Sequence, residues 1–293
     1  MLTQVRKRFH KVNIEISNIC NLQCSFCPEV IRSKKIMDPG LFDTILTQVA
    51  PLTEQVALHL MGEPLVHGKL GELIESCARH QTPVFLVSNG TLLNESRGEL
   101  ILHPIVRQVN FSLHSFHDNH PGKDPTEYLE RIFSFTEAAF ERRPDLYINY
   151  RLWNLAAPDA SRESNLLITR KIEERFGVTL PAEVDVRSQK GHRLKNRLSM
   201  HYDTEFTWPD LSLPVISGKG TCYGLRSHFG ILVDGTVVPC CLDKEGAIPL
   251  GNIREEPLES ILESDKARAI LKGFLERKLV DPLCQRCDYV TRF

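Results

Sequence analysis

Six runs rich in β-branched and aromatic residues, separated by helical stretches, fill the first 190 positions. The predicted strands are Val12–Ser17, Gln55–Leu60, Thr82–Ser88, Val109–Leu113, Leu146–Trp153 and Ala182–Ser188. The helices between them are Asp38–Val49, Lys69–His80, Asn94–Leu102, Thr126–Glu141 and Ser164–Phe176, the last closed by Gly177 as C-cap. Alternation of this kind predicts an α/β fold with a parallel sheet and helices outside. Six units are short of the eight of a full TIM-like barrel, so the expectation is a partial (β/α)6 barrel. After about residue 190 the pattern breaks. Phe229–Cys240 reads as a hairpin around Asp234-Gly235, Pro257–Lys278 as a helix, and the chain ends in CQRCDYVTRF. The expected layout is a barrel over residues 1–190, a linker or substrate-contact region over 191–220, and a small hairpin-and-helix domain over 221–293.

The chain has 293 residues and a formal net charge of −1, which argues against a nucleic acid as the main partner. No apolar run approaches the roughly 18 residues needed to span a bilayer. The basic start MLTQVRKRFHKVN has no apolar segment behind it, unlike a secretory signal. A cytoplasmic location with no membrane partner is expected. In a reducing compartment, nine cysteines point to metal binding or chemistry rather than to disulfides. They fall in two groups, Cys20, Cys24 and Cys27, then Cys222, Cys240, Cys241, Cys284 and Cys287, with Cys77 alone between.

The first group has the spacing C-x3-C-x2-C and follows the first strand directly. That places it at the C-terminal mouth of a barrel, where active sites of such folds lie. Three thiolates on one loop can hold three corners of a cubane iron–sulfur cluster, which usually takes four. The fourth iron is then open to another ligand. A zinc knuckle is the alternative for these thiols alone.

C-x3-C-x2-C behind a first strand resembles the signature of the radical S-adenosylmethionine (radical SAM) enzymes. The resemblance implies a [4Fe-4S] cluster on Cys20, Cys24 and Cys27 whose open iron chelates S-adenosylmethionine (SAM). It implies cleavage to a 5′-deoxyadenosyl radical, which abstracts a hydrogen atom from the substrate. Phe26 matches the aromatic residue that packs near the adenine. MGEP (Met61–Pro64) resembles the family's Gly-Gly-Glu-Pro, with Gly62 and Glu63 in place and Met61 replacing the first glycine. SNGT, beginning with Ser88 and Asn89, resembles the turn that contacts ribose and carboxylate. Arg151 ends the fifth strand, where a guanidinium could pair with the cofactor carboxylate. Ser112 ends the fourth and faces the same mouth. A turn or a surface salt bridge is the plain structural reading of each position taken singly.

Cys222 and Cys240 flank the hairpin, and Cys284 and Cys287 form a C-x2-C. Chemistry alone admits zinc or an iron–sulfur cluster. Beside a radical SAM core the set resembles the Twitch domain, a shortened SPASM domain with one auxiliary [4Fe-4S] cluster. Its spacing is similar to that in the family's aminocyclitol dehydrogenases. Cys241 has three readings: a ligand in place of Cys240, a thiol that donates a hydrogen atom to a substrate radical, or a packing residue. Cys77 reads as a buried small hydrophobe. His114, His117 and His120 are spaced by three in what reads as a loop, where a metal site or substrate contacts are the alternatives to no role. The basic stretch Val186–Arg197 is either a solvated face or a pocket for an acidic group.

An auxiliary cluster can accept the electron left on a substrate radical, giving net oxidation. The expected activity is therefore dehydrogenation of a small polar molecule, such as a sugar, an aminocyclitol or a natural-product intermediate. Epimerisation through the Cys241 thiol, or peptide modification, are the alternatives within the family. The few residues before the first strand leave no room for an N-terminal peptide-recognition domain, which favours the small molecule. A zinc-stabilised binding module is the non-enzyme alternative. The resemblance also implies a low-potential electron donor, flavodoxin or ferredoxin.

Overall fold

The computed structural model describes residues 9–155, 159–181 and 183–292. Its fold is α/β, with the strand–helix alternation of a partial (β/α)6 barrel. The chain forms two compact units that do not run in sequence order. One comprises 1–20, 28–84 and 206–293, and the other 21–27 and 85–205.

In the first unit, β1 (Lys11–Ile14) pairs in parallel with β2 (Val56–Ala57) on one side. On its other side it pairs in parallel with β8 (His228–Ile231), with Lys11 opposite His228. β8 turns back into β9 (Thr236–Val238), which pairs with β10 (Gly251–Asn252). The Asp234-Gly235 turn is as expected, with Gly235 at φ +95° and its N–H donating to Leu232 O at 2.9 Å. The hairpin thus extends the sheet that β1 begins, and Phe9 meets Phe229 edge-on at 4.8 Å between ring centroids. Helix α1 (Pro39–Val49) starts where the sequence predicts, because Asp38 Oδ1 accepts from Gly40 N at 2.8 Å and proline occupies its first turn. Helix α2 (Leu70–Arg79) buries Cys77 completely. The helix expected over Pro257–Lys278 is two, α7 (Leu258–Leu262) and α8 (Asp265–Leu275), because Ser264 breaks the run and caps α8 through Ala267 N.

In the second unit the strand order is β3-β4-β5-β7-β6. The strands are β3 (Val84–Ser88), β4 (Val106–Ser112), β5 (Tyr147–Leu152), β6 (Gly191–Lys195) and β7 (Leu198–Tyr202). Helices α3 (Glu95–Ile101), α5 (Thr126–Arg142) and α6 (Asp159–Phe176) lie between them in sequence. Gly177 sits at φ +63°, and its N–H donates to Glu173 O at 2.9 Å, closing α6. Tyr150, Phe133, Phe111 and Phe176 fill the core, and the buried Tyr150 hydroxyl is satisfied by Thr136 Oγ1 at 2.6 Å.

Two expectations are corrected here. The sixth barrel strand is not Ala182–Ser188, whose described residues form a turn around Asp185; Ala182 itself lies outside the described residues. The strand parallel to β5 is β7, ten and more residues later, where Leu198, Met200 and Tyr202 point inward. The earlier segment has the right alternation but carries Glu183, Asp185 and Arg187 with few apolar side chains to bury. The stretch after β4 is also not a loop: His114–Asn119 forms a short helix, α4.

Candidate active site

The cysteine loop is held to its unit by α4. Asp118 accepts from Ser25 N and Ser25 Oγ, both at 2.6 Å, and Asn119 Oδ1 accepts from Gln23 N at 2.7 Å. Asn119 Nδ2 donates to Cys24 Sγ at 3.1 Å, and Cys27 N donates to Cys24 O at 3.1 Å. The Cys24 thiol is held below its usual range, first by a hydrogen bond from Cys27 and then by Asn119. Burial opposes both. A thiol poised toward thiolate is what a metal ligand needs. Cys20 and Cys27 are exposed and Cys24 is buried. Phe26 packs against His114, with ring centroids 4.8 Å apart.

The turn after β3 braces the same loop. Asn89 Nδ2 donates to Asn21 Oδ1 at 3.0 Å, and Asn21 Nδ2 donates to Thr91 Oγ1 at 2.8 Å. Ser88 Oγ accepts from Gly90 N at 2.9 Å, and the Asn89 carbonyl accepts from buried Tyr128 at 2.7 Å. Ser112 and Arg151 are register partners at the ends of β4 and β5. The Arg151 guanidinium lies 4.2 Å from the Trp153 ring centroid. A guanidinium only donates, so the Asn110 amide presents its oxygen to it, at 2.8 Å from Nε.

In the other unit, Gly62 takes φ +76°, and a Cβ there would collide with Ser17 O and Ile19 O. Glycine is therefore required at the second position of the motif. Met61, with an ordinary backbone, instead packs with Val30, Leu60, Leu232 and Val238, which accounts for its place at the first. Glu63 is 2% exposed, its N–H donates to Ile19 O at 2.9 Å, and its Oε1 caps the turn Pro64–Val66 through Leu65 N.

The second cysteine group gathers in that unit. A Cβ on Gly224 would meet Pro239 O at 3.0 Å, so this glycine lets the Cys222 segment lie against the one entering Cys240. Cys284 opens a 3-10 turn, and Cys287 N donates to its carbonyl at 3.3 Å. Burial raises all four thiols, Cys222, Cys240, Cys284 and Cys287. Charge on Cys241 further raises Cys240 and Cys222, and charge on Cys222 raises Cys240, Cys284 and Cys287, so all five thiols are close enough to interact electrostatically. Four partly buried thiols whose ionised forms repel one another fit a cationic iron–sulfur cluster that makes them thiolates. Cys241 packs against the Met61–Val238 apolar cluster beside Trp208.

Among the described residues, no three His, Cys, Asp or Glu converge to hold a single metal ion, and this includes His114, His117 and His120. His114 donates from Nδ1 to Arg151 O at 3.1 Å, and burial holds it down at about 4. Sequence reasoning singled out these histidines and missed Asp118 and Asn119, the residues of the same stretch that grip the cysteine loop. It also missed His201. No helix among the described residues is long and apolar enough to cross a membrane.

Comparison with known proteins gives a consistent pattern. Residues 14–152 match the radical SAM superfamily, and residues 222–288 match SPASM, an iron–sulfur cluster-binding domain. The S-adenosyl-L-methionine-dependent 2-deoxy-scyllo-inosamine dehydrogenase of Niallia circulans is 28% identical over 97% of this chain and 95% of its own. The structure of BtrN in complex with AdoMet and 2-DOIA covers 97% of this chain and 94% of that one, with TM-score 0.62 and 16% identity. Streptococcus suis SuiB bound to precursor peptide SuiA covers 97% of this chain and 73% of that one, with TM-score 0.61 and 16% identity. At such identities the solved structures speak for the fold alone.

Proposed function

Because the chain belongs to the radical SAM superfamily and carries a SPASM-type iron–sulfur domain, we propose that this oxidoreductase dehydrogenates a small polar substrate of the sugar or aminocyclitol class. When bound, the cluster and SAM would supply the 5′-deoxyadenosyl radical chemistry that removes hydrogen from a substrate carbon. Cys20, Cys24 and Cys27 hold that cluster. Asn119 and Cys27 keep the Cys24 sulfur ready for it, and Asp118 fixes the loop. The residues we assign to SAM are Phe26, Ser88, Asn89, Ser112 and Arg151 of one unit and Gly62 and Glu63 of the other. Gly62 gives the backbone its approach, Glu63 offers a carboxylate to the amino group, and Arg151 pairs with the carboxylate. Cys222, Cys240, Cys284 and Cys287 would hold one auxiliary [4Fe-4S] cluster, which would supply an acceptor for the electron left on the substrate radical. Flavodoxin or ferredoxin is the expected electron donor.

The observation that carries this reading is the second thiol set, partly buried and mutually opposed in charge, within a chain matching a dehydrogenase over nearly its whole length. The test is anaerobic turnover of the reconstituted protein with SAM, dithionite and 2-deoxy-scyllo-inosamine. One oxidised product per 5′-deoxyadenosine, without solvent deuterium in recovered substrate, supports it. Epimerised product carrying solvent deuterium would overturn it in favour of a hydrogen-donating thiol.

A further inference from the structure

Correcting the sixth strand brings a residue to the mouth end of the second unit's sheet that the sequence reading passed over. His201 lies on β7 in register with Arg151 on β5. Its Nδ1 stands 3.0 Å from the indole Nε1 of Trp153. An indole N–H can only donate, so Nδ1 is the acceptor and the ring's proton resides on Nε2. The tautomer is therefore fixed by the neighbour. The same indole ring lies 4.2 Å below the Arg151 guanidinium, with the Phe85 ring 5.9 Å from the same carbon. Arg151 is thus supported on one face by an aromatic ring that is itself pinned by a histidine.

We propose that His201 is a positioning residue for the cofactor site: it anchors the Trp153 indole, and the indole sets the plane in which Arg151 meets the SAM carboxylate. The proposal rests on the assignment of Arg151 to SAM made above. A guanidinium stacked on an aromatic face keeps its N–H edge parallel to the ring, so a tilt of the ring misdirects the donors. Protonated His201 could not accept from the indole and would add a positive charge beside Arg151. Burial and Arg151 both hold it neutral, while Lys190 adds to this and Asp203 opposes it.

The experiment follows substrate-free cleavage of SAM by the reconstituted enzyme in His201→Ala, His201→Asn, Trp153→Phe and the His201→Ala/Trp153→Phe double variant. Losing one hydrogen bond of this kind changes affinity by roughly three- to tenfold. KM for SAM should rise by that much in His201→Ala, with kcat held within about twofold. His201→Asn, which keeps an acceptor, should recover most of it. Trp153→Phe should resemble His201→Ala, and the double variant should be no worse than the singles, since both cut the same link. A second readout needs no SAM. The chain has two tryptophans, so Trp208→Phe leaves Trp153 as sole emitter. Its emission should shift in His201→Ala and return in His201→Asn. Unchanged KM in His201→Ala, or independent multiplicative effects in the double variant, would overturn the proposal. Arg151→Lys serves as the control. If it leaves KM for SAM unchanged while Trp153 emission still answers to His201, the Arg151 assignment is at fault and the anchoring stands alone.

Discussion

Arg32 reaches the fully buried carboxylate of Glu15 with both terminal nitrogens, Nη1 to Oε2 at 3.0 Å and Nη2 to Oε1 at 2.8 Å. Glu15 also accepts from Val233 N at 3.0 Å. Arg32 Nε donates to Lys244 O at 2.7 Å, and Lys244 Nζ returns to Glu29 O at 3.0 Å. Glu245 accepts from Ile31 N and Arg32 N at 3.1 and 3.2 Å. The segment that follows Cys27 is therefore laced to the segment that follows Cys241, around one buried charge.

Removing Arg32 leaves that charge without its counter-ion. Breaking one side of a buried pair costs about 3–5 kcal/mol, whereas replacing both partners with apolar groups is often neutral. Arg32→Met should lower unfolding stability by about that amount in anaerobic urea titration, and Arg32→Met/Glu15→Leu should regain much of it. Equal losses in the single and double variants would mean that packing, not charge, holds the segment.

Gly62→Ala tests the backbone requirement of the Met61–Pro64 turn. The new methyl would meet Ser17 O and Ile19 O, both on the strand exit that leads into Cys20, at a φ of +76°. Backbone cannot give way as a flexible side chain can, so about 2 kcal/mol or more of destabilisation is expected. Met61→Gly, by contrast, restores the family's usual residue but empties a packed site. It should cost about 2–3 kcal/mol through the lost apolar contacts. Thermal unfolding of both variants checks the pair.

Much of this was legible because local chemistry carried it. The Asp38-Pro39 start, the Gly177 stop and the Asp234-Gly235 turn each depend on residues a few positions apart, and each stands where the sequence places it. The pairing of β1 with β8 was not legible. Its partners lie more than 200 residues apart, and nothing in either strand names the other. The sixth strand was misplaced because alternation alone does not separate a buried strand from a polar turn. The Ala182–Ser188 segment alternates but has little to bury, while Leu198, Met200 and Tyr202 do. His201 was missed with it. In His114–His120 the histidines drew attention as metal ligands, whereas the work of holding the cysteine loop falls to Asp118 and Asn119.

The two cysteine groups should respond separately to substitution. With two [4Fe-4S] clusters, roughly eight irons per chain are expected after anaerobic reconstitution. Cys284→Ser should lower this to about four while substrate-free SAM cleavage continues and product formation stops. Cys24→Ala should lose SAM cleavage altogether. Cys241→Ala should keep the full iron content, since its thiol packs among Met61, Leu232 and Val238. Iron assay and 5′-deoxyadenosine yield distinguish the three. Loss of half the iron in Cys241→Ala would instead make it a ligand in place of Cys240.

The last prediction concerns acid. His228, on β8 opposite Lys11 of β1, is held down at about 4, first by burial and then by the Lys11 charge. Its Nδ1 shares a hydrogen bond with Ser227 Oγ at 3.2 Å. Unfolded, the ring titrates near its ordinary 6.5, so between these two values the unfolded chain binds a proton that the native one refuses. Stability present above 6.5 is therefore lost as pH falls toward 4, and the loss from this one ring is about 1 kcal/mol by pH 5.5. His228→Gln has no proton to take up. Its urea midpoint should fall less than the parent's between pH 7.5 and 5.5, by a difference of that size. His114, held down at about 4 by its own burial, stays in place in both proteins and supplies a common background that cancels in the comparison. Identical pH dependence in the two would show that His228 titrates in the fold as it does in the unfolded chain, so that neither burial nor Lys11 holds it down.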